Sequence, residues 1–249
     1  MNLTQVAFAL SKHRGAVALC SAIILNFVGQ GAMSPVLPLF TESFGAGATF
    51  IGLVVVMFTV GRLIMSLPGG ILTQSLGRKP LLMAGIFFAG TGTLLAAFSQ
   101  DANQLLAFRL LSGLGNGTFL VAATIYLRDI STTETRARYQ SLNELSIVFG
   151  LSIGAIVGGS LADTVGLRAP FYLQSGMTAL ALPIIFLFIP ETKTSKEVRN
   201  STASTRGADL RQWGLNVRAL LLNRGFLVVA LFSLWIVATR WGGRFVIMP

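Results

Sequence analysis

Gly70-Ile71-Leu72-Thr73-Gln74-Ser75-Leu76-Gly77-Arg78-Lys79-Pro80 is a short polar break between two long apolar runs, residues 48–72 before it and 81–98 after it. Its physical logic is a tight reversal between two helices. Gly70 permits close helix packing, and Gly77 supplies a backbone conformation that other residues resist. Arg78 and Lys79 pin the reversal to one face of whatever the apolar runs cross. About 20 apolar residues cross a ~30 Å hydrocarbon layer at ~1.5 Å per residue, so each flanking run is long enough to span a bilayer.

The pattern repeats along the chain. Spans are read at residues 16–40, 48–72, 81–98, 103–126, 139–162 and 170–189, and a seventh apolar run begins near Gly225. Composition agrees: 53% of residues are hydrophobic and 11% charged, with mean hydropathy +0.72. A soluble domain carries about 25% charged residues. Within lipid the backbone must satisfy its own hydrogen bonds, which selects helices; the ten-residue alternation of a barrel is not visible. Residues 16–28 follow Lys12, His13 and Arg14 as a signal peptide would, but the apolar run continues to Phe40 and five more follow, so it reads as a span.

One cysteine (Cys20) and one histidine (His13) exclude a disulfide framework, a Cys/His zinc site and a Cys–His nucleophilic pair within the chain. No metal, cofactor or enzymatic activity is expected. The net charge of +10 suggests nucleic acid until the charges are located. Lys12 and Arg14 precede the first span, Arg78 and Lys79 follow the second, Arg128, Arg136 and Arg138 lie around the loop after the fourth, and seven more fall between Lys193 and Arg224. The alternate loops hold Glu42, Asp101, Asp163 and a single basic residue, Arg168. By the positive-inside rule the N-terminus is cytoplasmic, and the charge is a topology signal rather than a nucleic-acid surface.

Residues 1–189 therefore read as a six-helix transmembrane bundle, 190–224 as a cytoplasmic linker, and 225–249 as the start of a further bundle. The linker opens Ser/Thr/Lys-rich. Leu210, Trp213, Val217 and Leu220 then fall at helical spacing, which fits either an amphipathic helix on the membrane surface or the run-in to the seventh span.

The quoted reversal resembles the signature loop of the major facilitator superfamily, Gly-x-Leu-Ala-Asp-Arg-x-Gly-Arg-Arg/Lys. Gly70, Leu72, Gly77, Arg78 and Lys79 match it. Gln74 stands where the family has a carboxylate that joins a charged latch against the other half of the carrier. Leu105-x-x-x-Arg109-x-x-Ser112-Gly113-x-Gly115 is similar to the family motif with a membrane-embedded arginine. Gly150-x-x-x-Gly154-Ala155-x-x-Gly158-Gly159 resembles the motif of the drug/proton antiporter branch, with Ala155 in place of the usual proline. Pro35 and Pro38 and the loop from Leu161 to Phe171 are also typical of that branch. Gly150, Gly154 and Gly158 recur every four residues and form a smooth ridge for close helix contact, with Gly159 beside it.

The resemblance implies two three-helix repeats forming one half of a carrier, with a severed start of the other half. It implies secondary transport of a small molecule, in this branch proton-coupled efflux, with the ion gradient as driving force. Such a carrier needs a second six-helix half or another copy of the chain. A different class stays open: a non-transporting remnant, or an interaction partner of a full carrier.

Arg62, Arg109 and Glu144 are the ionisable groups inside the six spans. A central arginine costs about 2.5–3.5 kcal/mol on insertion scales, so each of these should face the bundle interior or a water-filled cavity. They are the candidates for charge and proton coupling. Arg62 lies ~15 Å and Glu144 ~8 Å from the cytoplasmic face at helical rise, so Arg62 is the expected partner of Glu144. Asn26, Gln30 and Ser34 fall on one face of the first span, and Arg109, Gly113 and Asn116 on one face of the fourth. Both faces are expected to line a central cavity, with Asn26, Gln30 and Asn116 touching substrate. Gly70, Gln74, Gly77, Arg78 and Lys79 would form the cytoplasmic gate.

Overall fold

The computed structural model describes residues 3–191. The linker beyond Glu191, its amphipathic stretch and the seventh apolar run lie outside the described residues. Within them the chain forms α1 (Leu3–Met33), α2 (Leu37–Glu42), α3 (Ala48–Leu76), α4 (Arg78–Ala97), α5 (Ala102–Ile130), α6 (Arg136–Val165) and α7 (Ala169–Phe188). Among the described residues six helices, all but the short α2, are long and apolar enough to cross a membrane.

The first span differs from its expected bounds. It breaks at Ser34-Pro35-Val36 and resumes as α2, because Pro35 has no N–H to donate and disfavours helical backbone at the residue before it. Pro38, in the first turn of α2, is compatible with helix there because no donor is needed. Elsewhere the helices overrun the apolar runs at their basic ends. α3 continues to Leu76, α5 to Ile130, and α6 starts at Arg136. Hydropathy marks the bilayer, whereas the helix continues until a cap stops it. Gly77 is that stop for α3 and also the residue before α4, at φ 93° and ψ 168°, a region reserved in practice for glycine. Gly166, at φ 117°, ends α6 in the same way. Asp101 caps α5 by accepting from the Gln104 N–H at 2.8 Å.

Packing follows a simple pattern. α5 packs against both α3 and α4, α1 packs against both α6 and α7, and α4 meets α7. Exchanging α1 with α5, α3 with α6 and α4 with α7 leaves these pairings unchanged. The bundle is thus two three-helix repeats, α1–α3–α4 and α5–α6–α7, with α2 as the bent tip of the first span. Leu19, Ile23, Leu82, Ile86, Phe119 and Tyr126 fill one core layer. Met33, Leu37, Phe40, Val54, Leu105 and Phe171 fill a second, where the α2–α3, α4–α5 and α6–α7 connections gather. The opposite end gathers the basic connections: Arg78 pairs with Asp129, and Glu191 meets the start of α4.

α3 and α6 are held by one face only. Their remaining apolar side chains are open, Leu63 at 69% and Ile156 at 75% exposure. Open apolar side chains of this kind carry no penalty against hydrocarbon or against another apolar helix face.

Candidate functional site

Arg109 sits 5% exposed on α5, among Met33 of α1 and Phe58 of α3. Its Nη1 donates to the Met33 sulfur at 3.8 Å, its Cζ lies 4.4 Å from the Phe58 ring centroid, and its Nε has no partner. A desolvated cation–π contact is worth about 2 kcal/mol. That falls short of the about 2.5–3.5 kcal/mol cost of a central arginine, and a thioether is a weak acceptor. Arg62, one turn beyond Phe58 on α3, shares the same ring, with its Cζ 6.0 Å from the centroid. Among the described residues neither guanidinium meets an oxygen acceptor.

The expected Arg62–Glu144 ion pair does not form. Glu144 is exposed on α6 and accepts only a long hydrogen bond from Gln140 Nε2, 3.4 Å. Depth along the membrane was a poor guide because α3 packs on α5 whereas α6 packs on α1.

The amides cluster by burial. Asn26 is fully buried and Asn116 is 1% exposed, and neither amide atom of either side chain finds a hydrogen-bond partner within the chain. Gln30 is half-buried with its Oε1 unpartnered, whereas Ser34 on the same face is exposed. Gln174 of α7 and Asn143 of α6, which sequence reasoning did not single out, belong to the same class: buried, each with an unpartnered carbonyl oxygen. An unpartnered buried amide group costs about 1–3 kcal/mol, so five of them in an apolar bundle are a large outlay. Asn26 and Gln30 lie one turn apart on α1, whereas Asn116, Asn143 and Gln174 come from three different helices, so no single run signals the set. Gly113 does not line a cavity. A Cβ there would strike the Phe58 backbone of α3.

The gate loop is built from both flanks. Arg78 Nε donates to Asp129 Oδ2 at 2.7 Å, and Arg78 Nη1 to the Thr73 carbonyl at 3.3 Å. The Arg78 and Lys79 backbone N–H groups donate to the two Glu191 carboxylate oxygens at 3.0 and 3.1 Å. These are two of the free donors at the start of α4, where negative charge is favoured. Lys79 Nζ donates to the Phe186 carbonyl at 2.7 Å and lies 5.0 Å from the Phe186 ring centroid. Asp129 and Glu191 were missed in the sequence; two acids in loops otherwise rich in basic residues were the available signal. The side chain of Gln74 lies outside the described residues.

Glycine positions divide. Gly150 and Gly154 lie on the backbone of α1 at Ile24 and Val28, and Gly158 lies on that of Ala32. Gly70 and Gly159 depart from the packing expectation: a Cβ on either would meet nothing within 4 Å. Just before the quoted loop it is Gly69 that faces α5, with Val121 3.3 Å from its built Cβ. The surface groove between α4 and α7, lined by Met83, Phe87, Phe88, Leu182 and Phe186, is apolar and contains none of these polar groups.

Six spans in two three-helix repeats, with a glycine reversal and an embedded arginine, agree with the sequence comparison. The profile of the Major Facilitator Superfamily matches residues 19–248. The chain belongs to that superfamily. It is 27% identical over 171 residues to an uncharacterized MFS-type transporter of Methanocaldococcus jannaschii, covering 69% of this chain and 44% of that one. It is 28% identical over 173 residues to the quinolone resistance protein NorA of Staphylococcus aureus, covering 70% and 44%. In fold it is similar to the human organic anion transporter MFSD10 (TM-score 0.66, 20% identity, covering 75% of this chain and 49% of that one). It is likewise similar to a peptide transporter POT (TM-score 0.63, 17% identity, 90% and 50%). The chain spans about half the length of the curated relatives it matches.

Proposed function

We propose that this chain is one half of a secondary carrier that moves a small molecule out of the cell by alternating access, driven by inward proton flow. The observation that carries the reading is the set of buried, unpartnered polar groups inside an apolar bundle of this superfamily. Asn26, Gln30 and Asn116 contact substrate, and Gln174 joins them. Arg109, Arg62 and Glu144 handle charge. Gly70, Gln74, Gly77, Arg78 and Lys79 form the cytoplasmic gate, in which Arg78 acts within its own half by pairing with Asp129. A second six-helix half, or another copy, faces the open sides of α3 and α6. The N-terminus is cytoplasmic, the inner membrane is the site of action, and no cofactor takes part. A quinolone resistance protein among the relatives supports outward movement.

Proteoliposomes carrying the chain, with and without an imposed pH gradient, test this. Gradient-dependent substrate movement that is lost in Arg109→Ala supports the carrier. No movement from protein shown to be folded, either alone or co-reconstituted with a second six-helix half, overturns it, and supports instead a non-transporting partner of a full carrier.

A further inference from the structure

We propose that Arg62 and Arg109, held on one phenylalanine ring, form an anion-recognition site, and that the molecule carried bears a carboxylate. This rests on the carrier reading and names its substrate class. Arg109 is the more buried of the two. Five N–H donors have one sulfur at 3.8 Å and one π face to satisfy them, and Nε has nothing. Arg62 reaches the same ring from the next turn of α3, 6.0 Å from its centroid. The two cationic carbons therefore lie no farther apart than the sum of their distances to that ring. Like charges within that bound, in a medium far less polar than water, repel each other and share one weak acceptor. An oxyanion relieves both defects at once, because a guanidinium fork accepts a carboxylate through paired N–H···O bonds.

The described carboxylates do not supply that anion. Asp129 is bonded to Arg78, Glu191 holds the start of α4, and Glu144 sits exposed beside Gln140. Access comes from Arg62, which is half-buried and adjoins the open strip of Val56, Thr59, Leu63 and Ser66 on α3. A cationic substrate would meet two uncompensated positive charges there, so the same pair that attracts an acid excludes a base.

Radiolabelled benzoate binding to the full chain in nanodiscs of neutral phosphatidylcholine tests the site. Benzyl alcohol and benzylammonium, similar in shape but neutral and cationic, serve as competitors. Saturable benzoate binding that neither competitor displaces is expected. Arg62→Gln should weaken it about tenfold or more, the loss of one charge-assisted hydrogen-bond pair. Arg109→Lys, which keeps the charge but not the fork, should weaken it to a smaller degree, and Arg136→Gln, at the exposed start of α6, should leave it unchanged. Arg62 is part-exposed, so its variant keeps the result decisive if buried Arg109 variants fail to fold. No saturable benzoate binding through the millimolar range, binding unchanged in Arg62→Gln, or benzylammonium bound as well as benzoate would each overturn the site. The assay needs no gradient, so its failure is separable from that of the carrier. Benzoate binding without transport refutes the carrier and keeps the site, whereas transport of a cation without benzoate binding does the reverse.

Discussion

Gly154→Ala adds one methyl group where the ridge of α6 crosses α1. A Cβ built there strikes the Val28 carbonyl oxygen, with Ala32 N at 2.8 Å and Val28 C at 2.9 Å. These are backbone atoms of a helix, so no side chain can rotate aside and the helices must separate. Overpacking of this kind costs about 1–3 kcal/mol. Alanine returns up to about 1 kcal/mol through its helix preference. The net expectation is a loss of about 1–2 kcal/mol, or several degrees at ~2–4 °C per kcal/mol for a chain of this size. Gly159→Ala is the control on the same helix. Its Cβ meets nothing within 4 Å, so only the helix preference remains, and stability should hold or rise by up to about 1 kcal/mol. Gly158→Ala should behave like Gly154→Ala, because it strikes the Ala32 backbone. Gly150→Ala should cost less, since its nearest neighbour, the Ile24 carbonyl oxygen, lies 2.8 Å away, farther than the nearest backbone atom at Gly154. Thermal unfolding of the purified variants in one detergent measures all four. Equal losses at Gly154 and Gly159 would refute the packing geometry on which the order rests.

Gly77→Ala forces a side chain into a glycine-only backbone region and toward the Glu191 carboxylate, 2.9 Å from the built Cβ, so unfolding in detergent should show a loss of about 1–3 kcal/mol. Arg78→Gln, Asp129→Asn and the double variant form a cycle whose coupling should be about 0.2–1 kcal/mol and should shrink in high salt, as their side chains are 13% and 30% exposed. Glu191→Ala removes the acceptor for two N–H groups at the start of α4 and should speed amide hydrogen exchange at Arg78 and Lys79 while leaving mid-helix amides unchanged. Green fluorescent protein fused after Glu134 or Glu191 should fluoresce in cells, and alkaline phosphatase fused after Gln100 or Gly166 should be active; the reverse pattern would invert the topology.

Much of this fold could be read from hydropathy and loops because the bilayer imposes one length scale on every span. The six spans emerged within a few residues, and the errors lay where hydropathy is silent: at Pro35, which cuts the first span, and at the polar helix ends. Gly77 was legible because a reversal after a single residue demands positive φ. Gly70 and Gly159 were not, since spacing identifies a glycine-rich face without saying which glycine of a neighbouring pair meets the partner helix. Burial cost flagged Arg109 together with Arg62 and Glu144, and the embedded-arginine motif set Arg109 apart. Its neighbours could not be read, because Met33 and Phe58 come from α1 and α3 and look like ordinary apolar residues in their own runs. The Arg62–Glu144 pairing failed because depth fixes only one coordinate of three. Which face of a helix looks at which neighbour is set by packing, and packing here was written in glycines.

Packing through glycine also shapes the interior of the six-helix bundle. The interior has polar groups in plenty, yet among the described residues the one ion pair lies at the basic end, between Arg78 and Asp129. Interhelical hydrogen bonds in membranes average only about 0.6 kcal/mol, so they are weak adhesive. Backbone-to-backbone contact at Gly154, Gly158, Gly113 and Gly117 provides dispersion along whole helix faces instead. A bundle held in this way can leave Asn26 and Asn116 without internal partners, and Arg109 with only a sulfur and a ring, because its stability does not depend on them. In a bundle held by polar pairing the same residues would be consumed by structure. The glycine faces free the polar groups, and only groups left free within the bundle can exchange partners with a ligand.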